Sequence, residues 1–422
     1  MTEQGSGEAP AATPRFETVD LLRGLSILSV VLLHSWLRFF LNGVQVGTGL
    51  PRWLSHLLLR NGGNGVTTFF AVSGFLITFS SVRRFAGLGG MRLRLFYRIR
   101  FARIAPLLFL ILAVLSLLHW ASLYSPAFGA WHVKKAVGLP RALFSALTLH
   151  LNWLEAKTGY LPPNWDVLWS LSVEEMFYLF FPLVCVAFVG HRSPLRPVGW
   201  PLLFLLAAGL LVLGPWARSV WITTDIGQEK SYLGGMNAIA LGCLAALLCD
   251  RLLRSARMFG RWLWGVEATG WVLIAWMATW PRWAWLHGVS RFLGRTDLAD
   301  TVLPLGVCMV IVTTVMRGSR GGGWITAPVR WFGRHSYEVY LTHEFLVLLG
   351  VMAFLRWHGS RPGLWVVGIT LATAPLGWVV ARWFSEPMNR WLRGAKPPAE
   401  RACKPYRGRE SASAICSSVS SS

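Results

Sequence analysis

The chain has 422 residues, 54% of them hydrophobic and only 14% charged, a balance too apolar for a water-soluble domain of this length. Its net charge is +22, but the basic residues stand at the ends of apolar runs and form no separate basic domain, which argues against nucleic acid as a partner and for the lipid bilayer as solvent. Cys185, Cys243, Cys249 and Cys308 lie inside apolar runs and Cys403 and Cys416 in the tail, without metal-ligand spacing, so neither a disulfide framework nor a metal site is expected.

In chain order, residues 1–15 are small and polar and are predicted to be a disordered cytoplasmic tail. The apolar run that follows contains Arg23 and lacks a small-residue cleavage site, so it is expected to stay as a helix. Runs long enough to cross a hydrocarbon core of about 30 Å occupy 19–41, 65–82, 103–120, 167–189, 199–221, 231–249, 262–280, 301–316, 336–355 and 363–384. The predicted fold is therefore an all-α polytopic integral membrane protein of about ten helices, with a transmembrane domain over 16–393. A further run near 143–154 is short and carries His150 and Asn152, which fits an interfacial helix better than a span. Residues 394–422 are basic, then Ser-rich, and are predicted to be a disordered tail.

With the N-terminus inside, 25 of the 41 basic residues fall on inner segments and 14 on outer ones, Arg23 and Arg382 being within spans. Positive residues are retained on the cytoplasmic face, so both termini are predicted to be cytoplasmic. Tryptophans such as Trp262, Trp264 and Trp280 gather at run ends, where an amphipathic indole suits the headgroup region.

Ionisable residues inside spans each need a reason. Arg23 and His34 are eleven residues apart, three full helical turns, and so share a face about 16 Å apart along the axis; Asp20 stands one turn before Arg23. Arg23 alone also fits a snorkelling anchor. The fourth run opens Trp169-Ser170-Leu171-Ser172-Val173-Glu174-Glu175. Glu174 and His34 lie at similar depth, about 10 Å from the outer boundary, and are expected to meet as a carboxylate-oriented imidazole suited to general-base work. A buried ion pair that only fixes packing is the plainer alternative.

All seven basic residues from Arg83 to Arg103 are arginine, the better fork for phosphate, and Arg100 and Arg103 share a helix face. A phosphate-bearing donor on the cytoplasmic side is the expectation. Ser336, Tyr340 and His343 fall on one face of the ninth run, and Glu386 and Arg390 follow the tenth; taken alone these are ordinary packing and interface residues. The glycines at 62, 63 and 65 and the segment 69–75 permit close helix approach.

The series in order resembles the acyltransferase-3 family of bacterial membrane O-acyltransferases, over about residues 16–393. The motifs are Arg23 then His34 after ten residues, Phe69-Phe70-x-x-Ser73-Gly74-Phe75, Arg100-x-x-Arg103-Ile104-x-Pro106, Trp169-Ser170-Leu171-x-Val173-Glu174, Ser336-Tyr337-x-x-Tyr340-Leu341-x-His343 and Glu386-Pro387-x-x-Arg390. The resemblance implies transfer of an acyl group, acetyl above all, from cytoplasmic acyl-CoA to a hydroxyl of a cell-envelope or exported glycan, in the bacterial inner membrane. It makes His34 and Glu174 catalytic, assigns Arg23, Arg100, Arg103, His343 and Arg390 to the coenzyme, and gives Asp20, Ser73, Trp169, Ser170, Tyr340 and Glu386 supporting places. It implies acyl-CoA as a donor substrate with no permanently bound cofactor. The sequence resembles the stand-alone form of the family, expected to be without the C-terminal SGNH-type domain that some members carry, which leaves a separate periplasmic transferase open as a partner.

Direct transfer with His34 as base and an acyl-His intermediate both fit these residues. The acceptor of a small-molecule variant would be of the macrolide kind. A proton-coupled transporter or flippase is the rival of another class, but the Arg-His, Trp-Ser-Leu and Ser-Tyr segments do not recur in the other half, as an internal repeat would require. The loop 121–166 is long enough to line an acceptor site.

Overall fold

The computed structural model describes residues 16–121, 137–222, 224–255, 260–279, 298–318 and 323–394. The two expected tails, the middle of the loop 121–166, and Trp280 lie outside the described residues.

Every described regular element is helical, as a chain dissolved in lipid requires, because only a helix or a closed barrel satisfies its backbone polar groups without water. The helices are α1 Glu17–Leu41, α2 Arg52–Leu59, α3 Gly62–Arg84, α4 Leu93–Trp120, α5 Leu139–Leu147, α6 Leu151–Thr158, α7 Leu168–Val189, α8 Arg196–Trp216, α9 Asp225–Glu229, α10 Tyr232–Arg254, α11 Trp262–Ala278, α12 Ala299–Met316, α13 Ala327–Arg334, α14 Ser336–Arg356, α15 Pro362–Val380 and α16 Glu386–Arg393. A π-helical turn at Ala381–Ser385 joins α15 to α16 without a break.

Among the described residues, eight segments are helices long and apolar enough to span a membrane: α1, α3, α4, α7, α8 with its extension, α9 with α10, α14, and α15 with α16. The expected span 262–280 appears as the 17-residue α11 and the expected span 301–316 as the 18-residue α12, and the two helices pack on each other. The run near 143–154 becomes two short helices, α5 and α6, separated where Leu149 takes a positive φ of 62°.

Helix α1 lies at the centre, packed against α3, α13, α14 and α15. On the other side of α3 stands α10, and these two helices touch backbone to backbone. A Cβ at Gly74 would strike the carbonyl of Ile239, and one at Gly242 the carbonyl of Ala71, so small residues on both helices make the crossing possible. The peripheral helices turn large apolar residues outward: Leu205 and Val212 on α8 are 68% and 69% exposed, a surface that suits lipid and not water.

Two ends of the bundle differ in chemistry. One, where α1 and α4 begin and α3 and α7 finish, is rich in arginine and is called here the basic end. At the other, the loop end, a buried charge cluster ties three segments together. Lys230 Nζ donates to Glu155 Oε2 of α6 at 2.8 Å and also pairs with Asp166 before α7. Glu155 Oε1 accepts from Leu161 N at 2.9 Å, and the Lys230 carbonyl accepts from Asn152 Nδ2 at 3.0 Å. Burial would push the Asp166 carboxyl upward, but the Lys230 ammonium outweighs it and holds the group below its ordinary range.

Substituting Gly242→Val forces α3 and α10 apart and is expected to remove about 1–3 kcal/mol of stability. A lower Tm of the detergent-solubilised protein checks this; an unchanged Tm refutes the tight crossing.

Candidate active site

Two cavities reach into the bundle from its opposite ends. The one at the basic end has a volume of about 540 Å3 and is lined by six arginines, Arg23, Arg84, Arg100, Arg103, Arg334 and Arg393, with Asp20 and Glu174 as its acids. The other, about 730 Å3, is reached from the loop end and is lined by His34, His56, Arg60, Asp166, Trp169 and Arg218 among others. Three side chains, Val66, Phe70 and Tyr340, belong to both walls. The cavities are therefore separated there by the thickness of single side chains.

The arginine cavity is assembled from α1, α3, α4, α7, α13, α14 and α16, its arginines coming from α1, α3, α4, α13 and α16. Arg23 donates through Nη2 to Ser336 Oγ at 2.8 Å, tying α1 to the start of α14. Arg100 lies over the Tyr178 ring, 4.7 Å from its centroid. Ser73 Oγ donates to Glu174 Oε1 at 2.5 Å, and the Tyr178 hydroxyl donates to the same oxygen. Two donors on one oxygen mark Glu174 as a carboxylate acceptor.

His34 sits on the opposite side of the wall, and its hydrogen bonds fix its tautomer. His343 Nδ1 faces the carbonyls of Tyr340 at 2.7 Å and Val339 at 3.2 Å. A carbonyl only accepts, so that nitrogen carries a proton and His343 Nε2 presents its lone pair to His34 Nδ1, 3.1 Å away. His34 Nδ1 is then the donor, and it is also 3.3 Å from Glu344 Oε2. In the neutral ring this leaves the lone pair on Nε2, and His34 lines the loop-end cavity.

Behind the imidazole, Arg38 closes the chain of contacts. Its Nε donates to Glu344 Oε1 at 2.6 Å, and its Nη2 pairs with the same oxygen. Arg38 is 1% exposed and Glu344 and His343 are both fully buried. His34, His343 and Glu344 put three ligand-type atoms within 4.8 Å of one another, but the guanidinium already balances the carboxylate, so the group is built as a charge-neutral hydrogen-bonded relay. Near the cavity mouth, burial and the neighbouring Arg60 hold the His56 imidazole below its ordinary value, which keeps it neutral at neutral pH.

A family model for the acyltransferase domain matches residues 16–382. The chain belongs to the acyltransferase-3 family. It is 28% identical over 400 residues to the O-acetyltransferase OatA of Staphylococcus aureus strain NCTC 8325, covering 90% of this chain and 58% of the relative. To the peptidoglycan O-acetyltransferase OatA of Listeria monocytogenes it is 25% identical over 361 residues, 82% of this chain and 51% of the relative. The chain thus spans a little over half the length of these relatives. No solved structure matches.

In this acyltransferase-3 chain, the arginine cavity gathers Asp20, Arg23, Ser73, Arg100, Arg103, Ser170, Glu174 and Tyr340, and Trp169 lines the loop-end cavity. Three sequence expectations are corrected by position. His34 does not meet Glu174: the two line different cavities, and the carboxylate beside the imidazole is Glu344, because α1 packs on α14 rather than on α7. His343 is absent from the arginine cavity and stands behind His34 instead. Arg390 does not line the arginine cavity either; its Nε donates to the Glu386 carbonyl at 3.3 Å, and the same helix delivers Arg393 to the cavity. The sequence reading also missed Arg38, counted with an outer segment, and Glu344, although each is one helical turn or less from a histidine it had singled out.

An Arg38→Met substitution strands the Glu344 carboxylate in the interior and is expected to destabilise by about 3–5 kcal/mol. The double change Arg38→Met with Glu344→Leu restores most of the Tm; failure of the double variant to recover would show that the pair is not the source of the loss.

Proposed function

We propose that this chain is a multi-pass enzyme of the bacterial inner membrane that transfers an acyl group, acetyl in the simplest case, from acyl-CoA to a hydroxyl of a cell-envelope glycan. One observation carries the reading: a histidine held by hydrogen bonds through Nδ1 lines one cavity, and a second cavity, rich in arginine, shares Val66, Phe70 and Tyr340 with it. Guanidinium groups suit a ligand bearing several phosphates, and CoA carries a diphosphate and a further phosphate on its nucleotide. The positive-inside count supports a cytoplasmic position for this basic end and for both termini, on the side where acyl-CoA is made. The names of the relatives support acetyl as the group transferred and a glycan as its destination.

In the reaction the acceptor hydroxyl occupies the loop-end cavity and gives its proton to His34 Nε2 as its oxygen attacks the thioester carbonyl. The new C–O bond forms, the C–S bond breaks, and the proton held on the imidazole passes to the departing thiolate, leaving an ester and free CoA. Glu344 balances the transient imidazolium and keeps Nδ1 as the protonated nitrogen, and Arg38 fixes Glu344. Glu174 works on the donor side, balancing the arginine cluster around the thioester arm, with Ser73 and Tyr178 holding its carboxylate in place.

Full-length protein in lipid vesicles, supplied with radiolabelled acetyl-CoA and peptidoglycan glycan strands, tests the assignment by CoA release and ester formation. His34→Ala is expected to lower the rate by at least about a hundredfold while the protein remains inserted; ester formation at the wild-type rate removes the imidazole from the mechanism. Arg100→Ala and Arg103→Ala are each expected to raise the KM for acetyl-CoA about tenfold or more, with Lys at either position restoring only part. Glu344→Gln lowers kcat and leaves that KM unchanged, the split that separates a positioning residue from a binding one.

A further inference from the structure

The division of residues between the two cavities poses a transport problem inside the site. His34 lines only the loop-end cavity, and the six arginines line only the other. With the phosphates of the donor held by arginine and the base beyond the wall, the acyl carbon itself has to pass the partition. We propose that Val66, Phe70 and Tyr340 form an acyl-size gate that passes acetyl and turns away longer chains, a reading that rests on acyl-CoA being the donor.

All three gate side chains are stiff, and two are pinned. Val66 and Phe70 are one turn apart on α3 and share a face, and a valine in a helix has essentially one χ1 rotamer. Phe70 is 4% exposed and meets the Trp169 ring edge-on, with centroids 6.2 Å apart. Room behind it is short: a Cβ at Gly235 would already come within 3.0 Å of the Phe70 ring. The Tyr340 hydroxyl donates to the Val167 carbonyl at 2.9 Å and is bonded to Ser170 Oγ at 2.6 Å, while Phe69 packs edge-on against its ring at 6.3 Å. None of these groups has the flexible end that lets a methionine or lysine yield to a larger ligand.

The chemistry of the partition matches that cargo. Both cavities are charged, yet the wall between them is a valine and two aromatic rings. An acetyl group is small and apolar enough to enter such a slot, whereas the phosphates and the hydrated acceptor are not. The slot also keeps water of the loop-end cavity from the thioester until the acyl group is presented. One methylene in a close-fitting apolar pocket changes the rate about tenfold or more, which makes the removal of wall atoms a measurable change in donor preference.

The test compares acetyl-, propionyl- and butyryl-CoA as donors for the full chain in vesicles, with peptidoglycan glycan strands as acceptor and CoA release as readout. Wild type is expected to fall about tenfold or more for each added methylene. Val66→Ala is expected to raise the butyryl-to-acetyl rate ratio by at least about tenfold, and Val66→Leu to depress acetyl transfer without changing the KM for acetyl-CoA. Phe70→Leu opens the same wall from the other side and decides the matter should the alanine variant elute as aggregate. A butyryl-to-acetyl ratio equal to wild type in the opened variants overturns the gate and leaves the donor reading intact. If no variant and no wild-type preparation consumes any acyl-CoA, the donor reading falls and the gate with it.

Discussion

Arg38 and Glu344 are the pair on which the rest of the site depends. Neither charge has access to water, and each is tolerable in a membrane interior only because the other is there. Their union joins α1 to α14, and that junction sets the neighbour of His34. With the guanidinium on one oxygen of Glu344, the other oxygen faces His34 Nδ1, and His343 presents a lone pair to the same proton. A structural ion pair thereby selects a tautomer, and in the neutral ring that tautomer leaves the lone pair on Nε2.

The same logic of shared elements runs through the arginine cavity. Its cations come from five helices far apart in sequence, and they are held in register by contacts whose partners are not charged: Arg23 on Ser336, Arg100 over Tyr178, Arg393 toward the Ile99 carbonyl. Six cations with two acids leave the cavity strongly positive, an arrangement that repels itself unless an anion enters. The glycine-lined contact of α3 with α10 fixes the α3 backbone from which Val66, Phe70 and Ser73 are presented.

Much of this was legible in the sequence because hydrocarbon is a demanding solvent. Length and apolarity gave the spans, and the cost of an ionisable group in lipid drew attention to Arg23, His34 and Glu174. Depth could be read as well: His34 and Glu174 do sit within spans at comparable distances from their ends. What depth does not carry is adjacency. Which helices touch is set by packing between segments hundreds of residues apart, and so the nearer carboxylate, Glu344, was passed over for one that faces another cavity. Arg38 escaped notice for a related reason, since an arginine near the end of an apolar run resembles a topological anchor whether it snorkels to water or turns inward.

Two polar cavities that almost touch also change where the membrane insulates. Over most of the bundle the voltage between cytoplasm and exterior falls gradually through the full hydrocarbon thickness, but here the insulating layer narrows to Val66, Phe70 and Tyr340. The electric field is steepest across that layer, and a charge moved through it feels nearly the whole potential, about 2.3 kcal/mol per elementary charge for each 100 mV. In the proposed reaction an acyl group passing one way across this layer is matched by the acceptor's proton passing the other way to the thiolate, so neutral species on each side remain neutral and no net charge moves per turnover.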